Sequence, residues 1–544
     1  MSTPLDAEIG KALALVVDGN MASRRALVTM LRNFGVLKVE QAVRPQEARQ
    51  MLELRNFDIV LCDFHFAGET MTGQELMDDL RQSGLLPLPS VVVMISGEAH
   101  YSQVAEAAEV ALDAYLVKPH TADALRVRLL KARARKAALA EVFALIAAQR
   151  HEEAVALAKL MASERGMVWL QAARIAADLC LRLGRPAEAA KLLDEVLQAG
   201  ALPWARLGLA RAQTEAGAVF QARRTLESLI SELPGYTDAY DVMGRVLMEQ
   251  GENAEAIATL CRASALTPHS VARLVKLGLL SFYFGDPKEA AEALNRAVRL
   301  GMSSKVFDLQ GLTLLAALQF DKHDERGLSL SAMTLERMRA SAPGSARLRR
   351  FAELVTLFRA MLDHRVVEVM ALVRGQLAEL RAPDFEFEAA CNLLMALSRL
   401  QTTELHLDGM ADHVTALAAR FAVSRTTCDL LCAALRERTE LAQAVRDEYE
   451  RINTVARQAV EHTVAGNPAA ATELLLGGAE RTLNAKLMDL ARHTLERHQD
   501  KVAGAEELAA RLDLLHTTYR SYGTQVRMAR IDDARSMHAV SRPD

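Results

Sequence analysis

Between residues 12 and 117 the chain alternates two kinds of hydrophobic pattern. Short, mostly apolar runs cover Ala12 to Val17, Val36 to Ala42, Asp58 to Cys62, Val91 to Ile95 and Ala114 to Val117. Between them, Met21 to Phe34, Pro45 to Arg55, Gly73 to Ser83 and Tyr101 to Ala111 carry apolar residues at helical spacing. Strands that stay apolar along their length are buried on both faces, so the alternation predicts a parallel sheet with helices on either side. With a further helix after Pro119, the block reads as an α/β doubly wound five-stranded parallel sheet. Beyond it the pattern is helical almost to the end.

From about residue 170 a repeat takes over. Gly217, Gly251 and Gly285 recur at a spacing of 34, as do Ala222, Ala256 and Ala290, and Leu226, Leu260 and Leu294. Pro234 and Pro268 keep that period, and so do the small residues Ala210, Gly244 and Gly278. A glycine frees the turn after one helix, small residues let two helices approach, and a proline stops the second. Over about 170 to 301 this register resembles the tetratricopeptide repeat. A weaker copy holds Gly184, Ala189 and Leu193, and a fainter one around Gln149 and Ala154 joins the array to the α/β block. After Ser303 the period fades, while helical spacing continues through Leu354 to Leu377, Phe387 to Leu400, His413 to Phe421, Cys428 to Leu435 and on to Leu515. Each helical pair buries its face only against its neighbours, so these segments read as an all-α solenoid. The expected division is 1–130 for the α/β block, 131–302 for the tetratricopeptide-like repeats, 303–535 for divergent helical repeats and 536–544 for a loose tail.

Doubly wound sheets bind ligands outside the carboxyl ends of their strands. Here the first run leads into Asp18, the third into Asp63, the fourth into Ser96 and the fifth into Lys118 and Pro119. Two carboxylates, a hydroxyl and an ammonium are therefore expected on one edge. Over about residues 10 to 130, the segments LVVDGN, DIVLCDF, VVVMISG and AYLVKP resemble the receiver domain of bacterial two-component response regulators, a flavodoxin-like fold. The resemblance implies that Asp63 accepts a phosphoryl group from a histidine kinase or phosphotransfer protein and that Asp18 helps hold Mg²⁺. Ser96 and Lys118 match the family's hydroxyl and lysine, and Tyr115 its aromatic switch residue. The chemistry suits these groups. A carboxylate oxygen attacks phosphorus, charge gathers on the transferred oxygens, and a hard cation with a lysine ammonium stabilises it.

One position departs from the family. Gly19 stands where a second acid usually contacts Mg²⁺. The expected metal set is then Asp18, Asp63 and the backbone carbonyl near His65, with weak Mg²⁺ binding. The segment Phe64 to Thr72 also looks slightly long for the family. Lys118, as a strand-end ammonium, is expected to face solvent, so its loss should weaken the response without touching the fold.

Composition narrows the remaining classes. The chain has 544 residues, three or four packing units at roughly 150 each. It is 51% hydrophobic and only 5% aromatic, which favours close-packed helices outside the α/β block. With 65 basic and 69 acidic residues the net charge is −4, too near neutral for a bulk polyanion binder. The basic stretch Arg126 to Lys136 reads as the solvated face of the last helix of the α/β block. Six scattered cysteines form no disulfide framework, and Cys428 and Cys432 read as core residues. No apolar run approaches the roughly 18 residues of a membrane helix, and the N-terminus has no basic leader, so a cytoplasmic protein is expected. His493 and His498 read as solvated. No GxSxG, GxxxxGK[ST], HExxH, cyclase or phosphodiesterase signature appears, nor a helix-turn-helix. The expectation is a non-enzymatic phosphorelay adaptor whose helical groove binds a protein partner. The alternatives are a phosphorylation-independent scaffold with a degenerate pseudo-receiver, favoured by Gly19, and a nucleic-acid-binding regulator, disfavoured by the charge.

Overall fold

A computed structural model describes residues 8–66, 71–82, 84–97, 113–302, 307–400, 409–436 and 438–519. The described chain opens with β1 (Leu13–Val17), α1 (Met21–Asn33), β2 (Lys38–Ala42), α2 (Pro45–Leu54), β3 (Ile59–Asp63), α3 (Gly73–Gln82), β4 (Val91–Ser96), β5 (Ala114–Val117) and α4 (Ala122–Ala138). The five strands are parallel in the order β2-β1-β3-β4-β5. Each expected strand is present, with ends shifted by a residue or two. The helix expected over Tyr101 to Ala111 and the tail 536–544 lie outside the described residues.

Alternation along each strand builds two cores, because successive side chains point to opposite faces. Leu15, Val17, Val60, Cys62, Val92, Met94 and Tyr115 pack with Leu52 of α2 and with Leu76, Met77 and Leu80 of α3. Ala14, Val16, Ile59, Leu61, Val93, Ile95 and Leu116 pack with Leu27 and Leu31 of α1 and with Leu125 and Leu129 of α4. The buried strands are apolar throughout, as a sheet covered on both sides requires.

The remainder is helical. Among the described residues no helix is long and apolar enough to cross a membrane. The chain divides into two compact units, the first holding residues 1–277 and 296–308 and the second 278–295 and 309–528. In the first unit, helix Ala122–Ala138 runs through Leu139 into Ala140–Ala147, and antiparallel pairs follow. Turns after the first helix of a pair are closed by glycines in the left-handed region, at Gly184, Gly217 and Gly251 (φ 72°, 77° and 79°). In the second unit, helices continue from Gln310–Asp321 to Ala505–Thr518.

The repeat's register has a packing cause. Ala222, Ala256 and Ala290 are all buried completely. A Cβ placed on Gly244 would lie 3.3 Å from the Leu260 side chain, and one on Gly278 would lie 2.6 Å from that of Leu294. Small residue and leucine thus meet at the same repeat positions. Ala256 is completely buried on the second helix of its pair, so Ala256→Leu should overpack the two helices and cost on the order of 1–3 kcal/mol in chemical denaturation. An unchanged midpoint would contradict this packing.

Candidate functional site

The carboxyl ends of β1, β3, β4 and β5 lie side by side. Val17 is paired with Cys62, Asp63 with Ile95, and Ser96 with Val117, so residues just beyond these pairs share one edge. The strand order changes direction between β1 and β3, which makes this the switch point of the sheet.

Asp18 is fully buried and held from four directions. Its own N–H donates to the Ala42 carbonyl (3.1 Å), and its Oδ1 accepts from the Asn20 N–H (2.7 Å). Its Oδ2 accepts from the Ser23 hydroxyl (2.5 Å), and its carbonyl accepts from the Arg24 guanidinium (2.6 Å). Asn20 meanwhile caps α1, its side chain accepting from the Ala22 and Ser23 amides. The cap and the acid are therefore set by one turn of chain. Sequence reasoning missed Asn20, Ser23 and Arg24, although Asn immediately before an apolar-periodic run is a helix-start signal.

Asp63 ends β3 and is 8% exposed. Its Oδ1 accepts from the Phe64 N–H (2.9 Å) and its Oδ2 from the Lys118 ammonium (2.8 Å), which also stands 3.6 Å from Asp18 Oδ2. Burial pushes the Asp63 carboxyl above its ordinary range, Lys118 pulls it back, and the neighbouring Asp18 charge raises it further. Lys118 is only 29% exposed, so the expected solvent-facing ammonium is corrected. Standing against both buried carboxylates, it offsets their charge. A cis Lys118–Pro119 peptide follows, and the Lys118 N–H donates to the Ser96 carbonyl (2.6 Å), tying the ends of β4 and β5 together.

The other named residues sit as follows. Ser96 is fully buried at the end of β4, one position beyond the partner of Asp63. Tyr115 is buried in the core on the α2 and α3 side of the sheet, opposite Met94 in register. His65 is exposed, its ring set edge-on to Phe64 with centroids 4.7 Å apart. Gly73 begins α3 and donates to the Phe64 carbonyl (2.7 Å); a Cβ there would lie 2.1 Å from the Asp63 carbonyl oxygen. Only glycine lets the helix start this close to the strand end.

Asp18 and Asp63 both turn hard anionic oxygens toward the Lys118 ammonium, and Mg²⁺ takes one or two carboxylates with water completing its shell. The donor set fits that ion. Among the described residues no group of three or more His, Cys, Asp or Glu side chains could hold a metal.

Two expectations outside the edge are also answered. The basic segment is not simply a solvated face. Arg128 donates to the Tyr115 carbonyl, Arg135 to the Asp113 carbonyl and Lys136 to the Leu88 carbonyl (2.6 Å), so three of its cations fasten α4 to the sheet. Cys428 and Cys432 are both buried, and the six cysteines are unbridged.

Comparison with known proteins matches residues 14–130 to the response regulator receiver domain and residues 181–246 to the tetratricopeptide repeat. The chemotaxis protein CheY of Pseudomonas aeruginosa is 35% identical over 118 residues, 22% of this chain and 92% of that protein. CheY-3 of Vibrio cholerae is 36% identical over 118 residues, covering 88% of its length. Among solved structures, a thermophilic tetratricopeptide protein of Thermus thermophilus aligns at 23% identity over 32% of this chain and 93% of its own, with a TM-score of 0.26. That score is too low to carry an argument.

Proposed function

The chain belongs to the response-regulator receiver family, with tetratricopeptide repeats following, and from that premise we propose that it is a response regulator whose output is protein binding. Asp63 is the phosphoacceptor, and a histidine kinase or phosphotransfer protein is the donor. The observation that carries the reading is the Lys118 ammonium standing between the buried carboxylates of Asp63 and Asp18. In the transfer, an Asp63 carboxylate oxygen forms the new bond to phosphorus. The bond from phosphorus to the donor breaks, and the leaving group takes its electron pair. Lys118 stays as a fixed positive charge beside the acceptor, and Ser96 is the hydroxyl that anchors the transferred group. Tyr115 is the residue that responds, from its place in the core next to β4.

Asp18, Asp63 and the carbonyl near His65 would hold Mg²⁺, which would supply charge neutralisation for the transferred oxygens. Gly19 leaves that set one carboxylate short. The domain limits 1–130, 131–302, 303–535 and 536–544 are part of the same proposal, as is a partner bound by the helical array.

Calorimetry of Mg²⁺ followed by beryllofluoride, a mimic of the acyl phosphate, tests the reading. Wild type should bind both, with a weak metal step. Gly19→Asp should bind Mg²⁺ roughly tenfold more tightly, worth about 1.4 kcal/mol, because a hard divalent ion gains an anionic ligand. Absence of beryllofluoride binding in wild type would favour the phosphorylation-independent scaffold.

A further inference from the structure

The first turn of helix α3 touches both the acceptor strand and the repeat array. Its first residue, Gly73, lies against the Asp63 carbonyl so closely that no side chain fits. Thr72 and Glu75 then form a reciprocal cap. The Glu75 N–H donates to Thr72 Oγ1 (3.2 Å), while the Thr72 N–H and hydroxyl donate to Glu75 Oε2 (2.9 and 3.2 Å). A capping glutamate normally stays in water. Glu75 is 3% exposed, and its other oxygen, Oε1, accepts from the backbone N–H of His269 (3.2 Å), 194 residues along the chain. The His269 Nδ1 stands 3.7 Å from Glu75 Oε2.

The receiving turn is itself rigid. It joins helices Asn253–Leu266 and Val271–Phe284, and the Ser270 N–H donates to the Thr267 carbonyl. The fully buried Arg273 donates to Thr267 Oγ1 and pairs with Asp238 and Asp241.

We infer that Glu75 is a latch that docks the receiver on the His269 turn of its own repeat array, and that an occupied acceptor site releases it. The release half rests on the reading of Asp63 as phosphoacceptor. Its physical basis is a buried carboxylate that is tolerated only while its hydrogen bonds are complete. A phosphoryl group adds roughly two negative charges where Gly73 touches Asp63, and any displacement of that contact moves the cap that aims Glu75.

Hydrogen exchange of the full chain, followed by mass spectrometry on peptides covering 267–271 and 57–66, tests both halves. Without ligand, Glu75→Ala should speed exchange at 267–271 by about tenfold or more. Thr72→Val, which weakens the cap that aims Glu75 but keeps its carboxylate, should speed it less. Mg²⁺ with beryllofluoride should speed 267–271 in wild type and leave Asp63→Asn unchanged. No acceleration in Glu75→Ala would overturn the latch, whatever happens at Asp63. Protection gained at 57–66 with no change at 267–271 would overturn release while leaving the acceptor reading intact. No change at either peptide would remove the acceptor reading, and release with it.

Discussion

Gly73→Ala should destabilise the receiver at the upper end of the ~1–3 kcal/mol typical of overpacking. The new methyl would lie 2.1 Å from the Asp63 carbonyl oxygen, 3.0 Å from its carbon and 3.1 Å from the Cys62 sulfur. Two of these obstacles are backbone in a central strand, which has no rotamer to change. Either α3 must withdraw, losing the Gly73 to Phe64 hydrogen bond, or β3 must bend at the acceptor. Hydrogen exchange in β3 and β4 should accelerate in the variant, and phosphodonor labelling should fall with it. Wild-type exchange rates would show that the helix start is not tied to the strand end.

Lys118→Ala should affect both chemistry and stability. Removing a preorganised charge next to a reacting oxyanion typically costs on the order of 10²–10³ in rate, so labelling should fall by about that much. The same change leaves Asp18 and Asp63 buried together without their ammonium. Breaking a buried pair from one side costs about 3–5 kcal/mol, and the partial exposure of Lys118 reduces this to roughly 1–2 kcal/mol. The pH dependence has a definite sign. Asp63 already titrates above its ordinary range, and without Lys118 it must rise further. The penalty falls on the ionised form, so the stability lost relative to wild type is full at neutral pH. It shrinks as the pH falls through the variant's folded value and is gone below the wild type's own raised value, where Asp63 is protonated in both. Added Mg²⁺ should recover part of it. Urea denaturation of both proteins at neutral and acid pH measures this, and a loss that is constant with pH would contradict the electrostatic assignment.

The strand ends were legible because period and topology act together. Apolar runs locate the strands, the carboxyl-end rule selects the residues that follow them, and Asp18, Asp63, Ser96 and Lys118 all sit at that edge. Gly217 and Gly251 were legible for a different reason. A left-handed turn after a helix is costly for most other residues, so the period of glycines is the period of the fold. The setting of Lys118 was not legible. Whether a strand-end ammonium meets solvent or two carboxylates depends on how β5 is set along β4 and β4 along β3, which no local pattern records. The basic stretch in α4 was legible only in part, because Arg126, Arg128 and Lys131 are exposed as a solvated face requires, while the backbone carbonyls that anchor Arg128, Arg135 and Lys136 carry no sequence signature. Glu75 and His269 lie 194 residues apart, and nothing in either neighbourhood marks the other. The buried Arg273 between Asp238 and Asp241 escaped notice for the same reason, since three charges on two helices look solvated until the helices are packed.

The central claim is that Asp63 takes the phosphoryl group. Incubating the full chain with acetyl phosphate and Mg²⁺, then mapping the labile acyl phosphate by mass spectrometry, addresses it directly. One modified residue is expected, Asp63, with no modification in Asp63→Asn. An acyl phosphate on another carboxylate, or none at any donor concentration, would contradict it.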